Sequence, residues 1–355
     1  MTSDDSQQGP VLVTGAAGLV GRAVVDRLLA DGREVVATDL VEPADLPPGA
    51  EVIRTDLTDD VAVRRLLLTT APSSVVHCAA VIPPACYARP RLARQVTVGG
   101  TRNLVAAAEG LAAPPRLVLT SSIAVHGARN PHTHPDPLTE ESPLAPVDLY
   151  GQHKMEAEEA VRGSGLPWVV LRLGGVLSPD LGAGGSDPDT RWFEALLPTD
   201  GRIQTVDVRD VARAVAAATT APVTGQVFLV GGDASHRLRQ REIVASLTTA
   251  LGLEDGVPAG RSGDPEDDAA WFPTDWMDTT RGQAALDYQR ISWPQLLAEV
   301  REGAGWRRYL LRLAAPIVHE VLRRRSPYAH HEGRYAAPWA AIEARWGDPR
   351  PDREG

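Results

Sequence analysis

The sequence predicts an α/β fold built on a doubly wound parallel sheet, with a smaller C-terminal lobe and a helical C-terminal tail. Three observations predict it. Strand-like and helix-like segments alternate through the first half of the chain. The strand segments are near-continuous apolar runs, as expected when helices cover both faces of a parallel sheet. A glycine-rich turn joins the first strand to the first helix.

The elements follow in order. Val11–Thr14 reads as a buried strand, and Leu19–Ala30 carries apolar residues at helical spacing. Segments 34–39, 51–55, 74–79, 116–121 and Trp168–Leu173 read as further strands. Helical patterns at 59–70, 90–109 and Leu149–Arg162 lie between them. The alternation weakens after Gly174. Segment 181–189 is rich in Gly, Asp and Pro and predicts a mobile loop, as does 256–268. Segment 209–220 is helical with Asp207 or Asp210 at its start, Gln226–Val230 is a late strand, and 279–288 and 294–301 are short helices.

In segment 306–325, Trp306, Leu310, Leu313, Ile317 and Val321 share one stripe. Arg307, Arg308, Arg312, Arg323, Arg324 and Arg325 lie largely off it. Pro316 is expected to kink or split this helix. A basic amphipathic helix can lie on a membrane, but the expectation here is packing on its own domain or on a second subunit.

The chain has 355 residues, 36 basic and 46 acidic, with a net charge of −10. Of the basic residues, 35 are arginine and one, Lys154, is lysine. The acidic balance argues against nucleic acid as the main partner. At 43% hydrophobic residues the chain can bury a substantial core, and it contains no apolar run of membrane-spanning length. Residues 1–10 lack the basic start and apolar stretch of a signal peptide. Two cysteines, Cys78 and Cys86, form no metal- or redox-type pair. A soluble protein of a reducing cytoplasm is the expectation.

The turn at residues 14–21, Thr-Gly-Ala-Ala-Gly-Leu-Val-Gly, follows a strand and opens a helix. Glycines there let backbone approach a pyrophosphate, and the helix N-terminus turns free N–H groups and its positive dipole end toward the charge. Asp39 ends the second strand, placed to accept hydrogen bonds from adenosine-ribose hydroxyls and to repel a 2′-phosphate. Leu40 and Val41 follow it with no arginine beside them, which favours NAD over NADP. Asp56 is placed either to reach the adenine amine or to cap the helix at Asp59.

Tyr150 and Lys154 stand four apart at the start of a helix, which puts phenol and ammonium on one face. The ammonium is expected to lower the tyrosine pKa and suit it to proton transfer. Thr120, Ser121 and Ser122 end a strand at the C-terminal edge of the sheet, where ligands of open α/β sheets bind. A serine there hydrogen-bonds a substrate oxygen or caps a turn.

Together, residues 14–21, Asp39, Asp56, His77-Cys78-Ala79-Ala80, 120–127, Tyr150/Lys154 and Leu171-Arg172 resemble the extended short-chain dehydrogenases/reductases, over about residues 10–300. The resemblance implies a Rossmann domain with a smaller substrate lobe. It assigns Tyr150 as general acid/base, Lys154 to the nicotinamide ribose and Ser122 to the substrate oxygen. It assigns cofactor contacts to Gly15, Ala17, Gly18, Leu19, Val20, Asp39, Asp56, Leu57, Ala79, Ala80, Thr120, Tyr150 and Lys154. The implied organisation is a disordered N-terminus (1–9), an NAD-binding Rossmann core (10–175), a substrate lobe interleaved with late core elements (176–300), a helical extension (301–346) and a disordered tail (347–355).

The chain departs from that pattern in places. Thr97 stands where the family often has Asn, His126 where it has Tyr, and Leu173 where it has Pro. The tail after about residue 300 is outside the pattern. Ser122-Ile123-Ala124 replaces the Thr-Asp-Glu of sugar-nucleotide dehydratases, and Ala124 replaces the Glu of the decarboxylases. The string at 120–125 is similar to the 3β-hydroxysteroid dehydrogenase-like branch.

Val81, Ile82, His126, Leu173, Gly174 and Trp192 are expected to contact substrate, with Pro83, Pro84, Tyr87, Phe193, Trp271 and Trp276 as further candidate lining. Such a pocket suits a small organic or lipid-like ligand. No clear arginine set for a diphosphate stands out, although Arg172, Arg191, Arg202 and Arg237 are available. His132, His134 and Asp136 resemble a metal loop, but Pro131, Pro135 and Pro137 mark an exposed turn, and no metal is expected there or at His330-His331. The expected function is an NAD-dependent oxidoreductase that interconverts a secondary alcohol and a ketone on a hydrophobic or natural-product substrate. The alternatives are a sugar-nucleotide epimerase with tightly bound NAD and a cofactor-binding regulatory protein without turnover. A homodimer through helices 90–109 and Leu149–Arg162 is implied by the resemblance alone.

Overall fold

Apolar β-branched runs that alternate with amphipathic helices leave one arrangement that buries both sheet faces, and the computed structural model has it. It describes residues 9–41, 46–180, 187–254, 256–329 and 333–351. The strands are β1 (Val11–Thr14), β2 (Val35–Asp39), β3 (Glu51–Arg54), β4 (Ser74–His77), β5 (Arg116–Ser122), β6 (Trp168–Leu173), β7 (Gly175–Leu177), β8 (Arg202–Asp207), β9 (Gln226–Val230) and β10 (Arg237–Arg239). Seven of them form a parallel sheet in the order β3-β2-β1-β4-β5-β6-β9, and β10-β8-β7 form a second, three-stranded sheet. The order reverses between β1 and β4, which opens the ligand crevice at their C-terminal ends.

The helices are α1 (Leu19–Ala30), α2 (Asp60–Thr70), α3 (Ala85–Ala88), α4 (Pro90–Arg94), α5 (Gly100–Glu109), α6 (Leu149–Arg162), α7 (Pro188–Glu194), α8 (Val208–Ala218), α9 (Gln240–Leu251), α10 (Thr280–Leu286), α11 (Trp293–Ala304), α12 (Arg307–Arg325) and α13 (Pro338–Trp346). One sheet face packs Val11, Val13 and Val169 against Val24, Leu28, Val211 and Val215 of α1 and α8. The other packs Leu12, Val75, Leu117 and Val170 against Leu66, Leu104, Ala157 and Val161 of α2, α5 and α6. The smaller lobe has its own cluster, in which Ile203 and Ile243 meet Trp293, Leu296 and Val300.

Several expectations are corrected. Segment 90–109 is two α-helices joined by a π-helical turn at Gln95–Gly99, which contains Thr97. Pro316 does not divide α12, which runs unbroken from Arg307 to Arg325. The turn there is exposed, so water can take the Arg312 carbonyl that lacks a helical donor. The apolar stripe of that helix does not pack on its own domain: Trp306, Leu310, Leu313, Ile317 and Val321 are exposed. Residues 188 and 189 open α7 instead of continuing a loop, and 181–186 lie outside the described residues, as do His330 and His331. Residues 347–351 are placed against the protein, whereas 352–355 and 1–8 are outside the described residues.

Candidate active site

The glycine-rich turn is shaped by contacts that admit no side chain. Gly15 has φ +69°, and a Cβ on it would stand 2.6 Å from the Ala79 amide nitrogen. A Cβ on Gly21 would stand 2.1 Å from the Gly15 carbonyl oxygen. The turn therefore nests between β4 and the first turn of α1. The helix begins at Gly18 with no side-chain cap and no acidic residue in its first turn, so its leading N–H groups face the crevice. Asp39 leans into the same place: its Oδ2 accepts from the Ala17 N–H at 3.0 Å. The shape and the free N–H groups of this cradle fit a dinucleotide pyrophosphate, with the Asp39 carboxylate beside it.

Asp56 engages its own loop. Its Oδ1 accepts from the Thr58 amide and hydroxyl at 2.9 and 2.7 Å, while Asp59 caps α2 through the Val61 and Ala62 amides. The capping alternative for Asp56 is thus corrected, because Asp59 does that work. Leu57 is buried, and its carbonyl accepts from Asn103 Nδ2 at 2.9 Å. The buried His77 bridges Thr14 Oγ1 at 2.7 Å and Thr101 Oγ1 at 2.9 Å. Burial lowers its pKa to about 3, with the Lys154 charge adding to the shift. Thr97 Oγ1 accepts from the Val81 amide at 3.2 Å, so the threonine steadies the strand exit.

Asp148 caps α6 by accepting from the Gly151 amide at 2.9 Å, and a close hydrogen bond from the Tyr87 hydroxyl reaches its other oxygen. Burial raises the Asp148 carboxyl to about 6. From this first turn Tyr150 meets the Ser122 hydroxyl. Ser122 Oγ also accepts from the Ala124 amide at 3.1 Å, which is the turn-capping role weighed from sequence. Burial pushes the Tyr150 phenol above its ordinary value; the Ser122 hydrogen bond pulls the other way, and Cys86 and Asp148 add to the rise.

Lys154 is 4% exposed, and its Nζ donates to the Thr120 carbonyl at 2.8 Å. Burial lowers its pKa to about 8, against the raising influence of Cys78 and Glu158. The expectation that Lys154 depresses the Tyr150 pKa is corrected in this arrangement: burial dominates the phenol, and the ammonium is anchored on β5. Thr120 Oγ1 donates to the His77 carbonyl at 3.1 Å, which ties that strand end to β4. Behind these residues Glu158 accepts Arg172 at 2.9 and 2.7 Å and Ser121 Oγ at 2.6 Å.

The expected substrate residues divide. Val81 and Trp192 pack with Tyr150 in one apolar cluster together with Cys86, Tyr87 and Phe193. Ile82 is 58% exposed on the rim. His126 is corrected to a structural role: it is buried, bonds the Pro143 carbonyl at 3.0 Å and meets Arg172 at 3.3 Å, and burial lowers its pKa to about 4. Leu173 belongs to the sheet core, and a Cβ on Gly174 would stand 2.5 Å from the Gln204 carbonyl oxygen, so both serve packing. Trp271 is fully buried with its indole N–H on the Asp264 carbonyl, and the half-buried Trp276 bonds the Leu238 carbonyl. Among the four candidate arginines, Arg172 is held by Glu158, Arg202 by Asp275 and Arg237 by the Met277 carbonyl. Among the described residues no cluster of three or more His, Cys, Asp or Glu is placed to hold a metal.

Sequence reasoning missed the far wall. Trp339, Ala341 and Trp346 of α13 join the Tyr150 cluster, with Phe272 stacked on Trp339 at 5.2 Å and Trp192 edge-on to Trp346 at 5.1 Å. The Leu149 amide donates to the Pro349 carbonyl at 2.8 Å. No local pattern marks Trp339 or Trp346 for this place. Asp148 was legible, since an acidic residue just before a helix is a cap signal.

A family model described as "NAD dependent epimerase/dehydratase family" matches residues 11–231. Methionine adenosyltransferase 2 subunit beta of Rattus norvegicus is 35% identical over 164 residues, 46% of each chain, so the chain matches about half the length of that relative. The dTDP-6-deoxy-L-talose 4-dehydrogenase (NAD(P)(+)) of Kitasatospora kifunensis is 28% identical over 309 residues, 81% of this chain and 93% of the other. The structure of MoeE5 in complex with UDP-glucuronic acid and NAD aligns at TM-score 0.67 and 26% identity, covering 85% of this chain and 100% of that one.

Proposed function

The chain belongs to the NAD dependent epimerase/dehydratase family, and we propose that it is an oxidoreductase acting on a secondary alcohol or ketone of a nucleotide-linked sugar. NAD is its cofactor. The likeness to a dTDP-sugar 4-dehydrogenase over 81% of the chain carries the substrate class, and it favours a sugar nucleotide over the hydrophobic alcohol expected from sequence.

The residues divide the work as follows. Gly15, Ala17, Gly18, Leu19 and Val20 take the pyrophosphate, Asp39 the adenosine ribose, and Lys154 the nicotinamide ribose. NAD supplies the hydride acceptor. Ser122 and Tyr150 share the substrate oxygen: the serine orients it, and the tyrosine takes or gives its proton. A phenol raised by burial is held protonated, ready to give its proton to a substrate oxygen.

The test is incubation with dTDP- and UDP-sugars, reading absorbance at 340 nm and sugar configuration by NMR. Net NADH formation identifies a dehydrogenase, and epimer exchange without it an epimerase. Turnover of hydrophobic alcohols only, with sugar nucleotides inert, would sink the proposal.

The hydrophobic-substrate reading is supported by a different observation. The Tyr150 cluster is aromatic on its far side, and Arg172, Arg202 and Arg237 are already held by internal partners. A regulatory reading rests on the subunit name of the relative matched over 46% of its length; absence of turnover with every substrate class would favour it.

A further inference from the structure

Helix α12 turns two unlike faces outward and inward. Ala315 is buried, and Leu311, Val318 and Leu322 are half-buried on the side that meets the protein. At 100° per residue the opposite side carries Trp306, Tyr309, Leu310, Leu313, Ile317 and Val321, between 43 and 79% exposed. Toward its C-terminal end the same face also carries Glu320 and Arg324, which pair with each other at 2.6 Å. An exposed apolar stripe of that kind marks an interaction surface.

The charges beside the stripe select its partner. Arg307 and Arg325 flank one edge, and Arg312 and Arg323 the other. Glu320, on the stripe face itself, is the one carboxylate on the helix, and Arg323 and Arg324 offset its charge at 2.7 and 2.6 Å. These arginines form a local basic strip on a chain of net charge −10. Packing α12 against its copy would bring two such strips together with a single glutamate from each to offset them. An anionic lipid surface meets both demands, because its headgroups pair with the arginines while the stripe enters the acyl boundary. Trp306 and Tyr309 at the N-terminal end are the side chains favoured at that depth.

We propose that the exposed face of α12 docks the protein on an anionic lipid surface. The helix lies in the interface and does not span it; among the described residues no helix is long and apolar enough to cross a membrane. The proposal is independent of the reaction at Tyr150.

Co-sedimentation of the full chain with vesicles tests it. Phosphatidylglycerol/phosphatidylcholine vesicles should bind the protein at low salt, with at least a tenfold loss in 0.5 M NaCl and in pure phosphatidylcholine. The exposed-site variant Leu313→Ser/Ile317→Ser should keep the circular dichroism spectrum and lose binding by a similar factor, as should Arg312→Gln/Arg323→Gln. Equal binding by wild type and the serine variant overturns the proposal. So does a dimer in sedimentation velocity that the serine variant dissociates, since the stripe would then be covered by a second copy.

Discussion

The Leu149 amide donates to the Pro349 carbonyl oxygen at 2.8 Å. A residue from the end of the chain thereby satisfies one of the orphan N–H groups at the start of α6, beside Tyr150. The segment that follows α12 returns to the crevice and joins the site, with Trp346 edge-on to Trp192 on the way.

Trp346→Ala should therefore weaken substrate binding more than chemistry. Loss of the half-buried ring and its aromatic partner is expected to cost about 2 kcal/mol of stability. Steady-state kinetics should show KM raised several-fold with kcat changed less than twofold. An unchanged KM would remove the C-terminal wall from the substrate site.

Lys154 can be watched directly because it is the only lysine. After reductive methylation with labelled formaldehyde, NMR should show two titrating amines, Lys154 and the chain's α-amino group. Lys154 should titrate near 8 and not near 10.5, since burial disfavours its charge. Lys154→Met should keep the fold and lose at least about a hundredfold in kcat/KM. Lys154→Arg should lose as much, because a guanidinium has the wrong shape for this buried slot. A midpoint near 10.5, or near-normal turnover in either variant, contradicts the assignment.

Gly15→Ala should abolish cofactor binding. The new methyl would meet the Ala79 amide nitrogen at 2.6 Å in a backbone conformation that disfavours any side chain. NADH fluorescence titration should show at least a tenfold loss of affinity. Affinity like that of the wild type would place the dinucleotide elsewhere.

Acid should destabilise the fold below pH 6.5. His77 and His126 are buried neutral, with pKa values of about 3 and about 4 against 6.5 unfolded. The unfolded chain therefore binds more protons in that window, and stability falls as pH falls. Each histidine is expected to cost about 2 kcal/mol by pH 5. Asp148 works the other way: its raised pKa of about 6 lets the folded state hold a proton that the unfolded chain releases, so its contribution grows as pH falls from 6 toward 3.8. Thermal melts should show Tm dropping between pH 7 and 5, and the drop should be larger in Asp148→Asn. A flat profile for both proteins would show that the histidines titrate normally.

What was legible in the sequence was local. The turn at 14–21 carries its own geometry in its glycines, and Tyr150 and Lys154 show their common face through spacing alone. The strand runs of the main sheet are apolar enough to mark themselves. The misplaced residues depend on long-range packing. His126 looked like pocket lining until Arg172 and the Pro143 carbonyl took its ring. Leu173 and Gly174 sit at a strand end that β8 and Met277 cover from far along the chain. Trp339 and Trp346 could not be assigned, because nothing within a helical turn of either says which surface the chain returns to.

The burial of Lys154 has a practical consequence for how this protein can be handled. Lys154 is the only lysine and is 4% exposed, so bulky NHS-ester dyes and amine-coupling sensor chips meet no lysine on the outer surface, while a reagent as small as formaldehyde is the one to use for labelling Lys154. A lysine introduced by mutation at any chosen surface position would therefore be the one exposed lysine, and a dye or tether attached there would not compete with a native side chain.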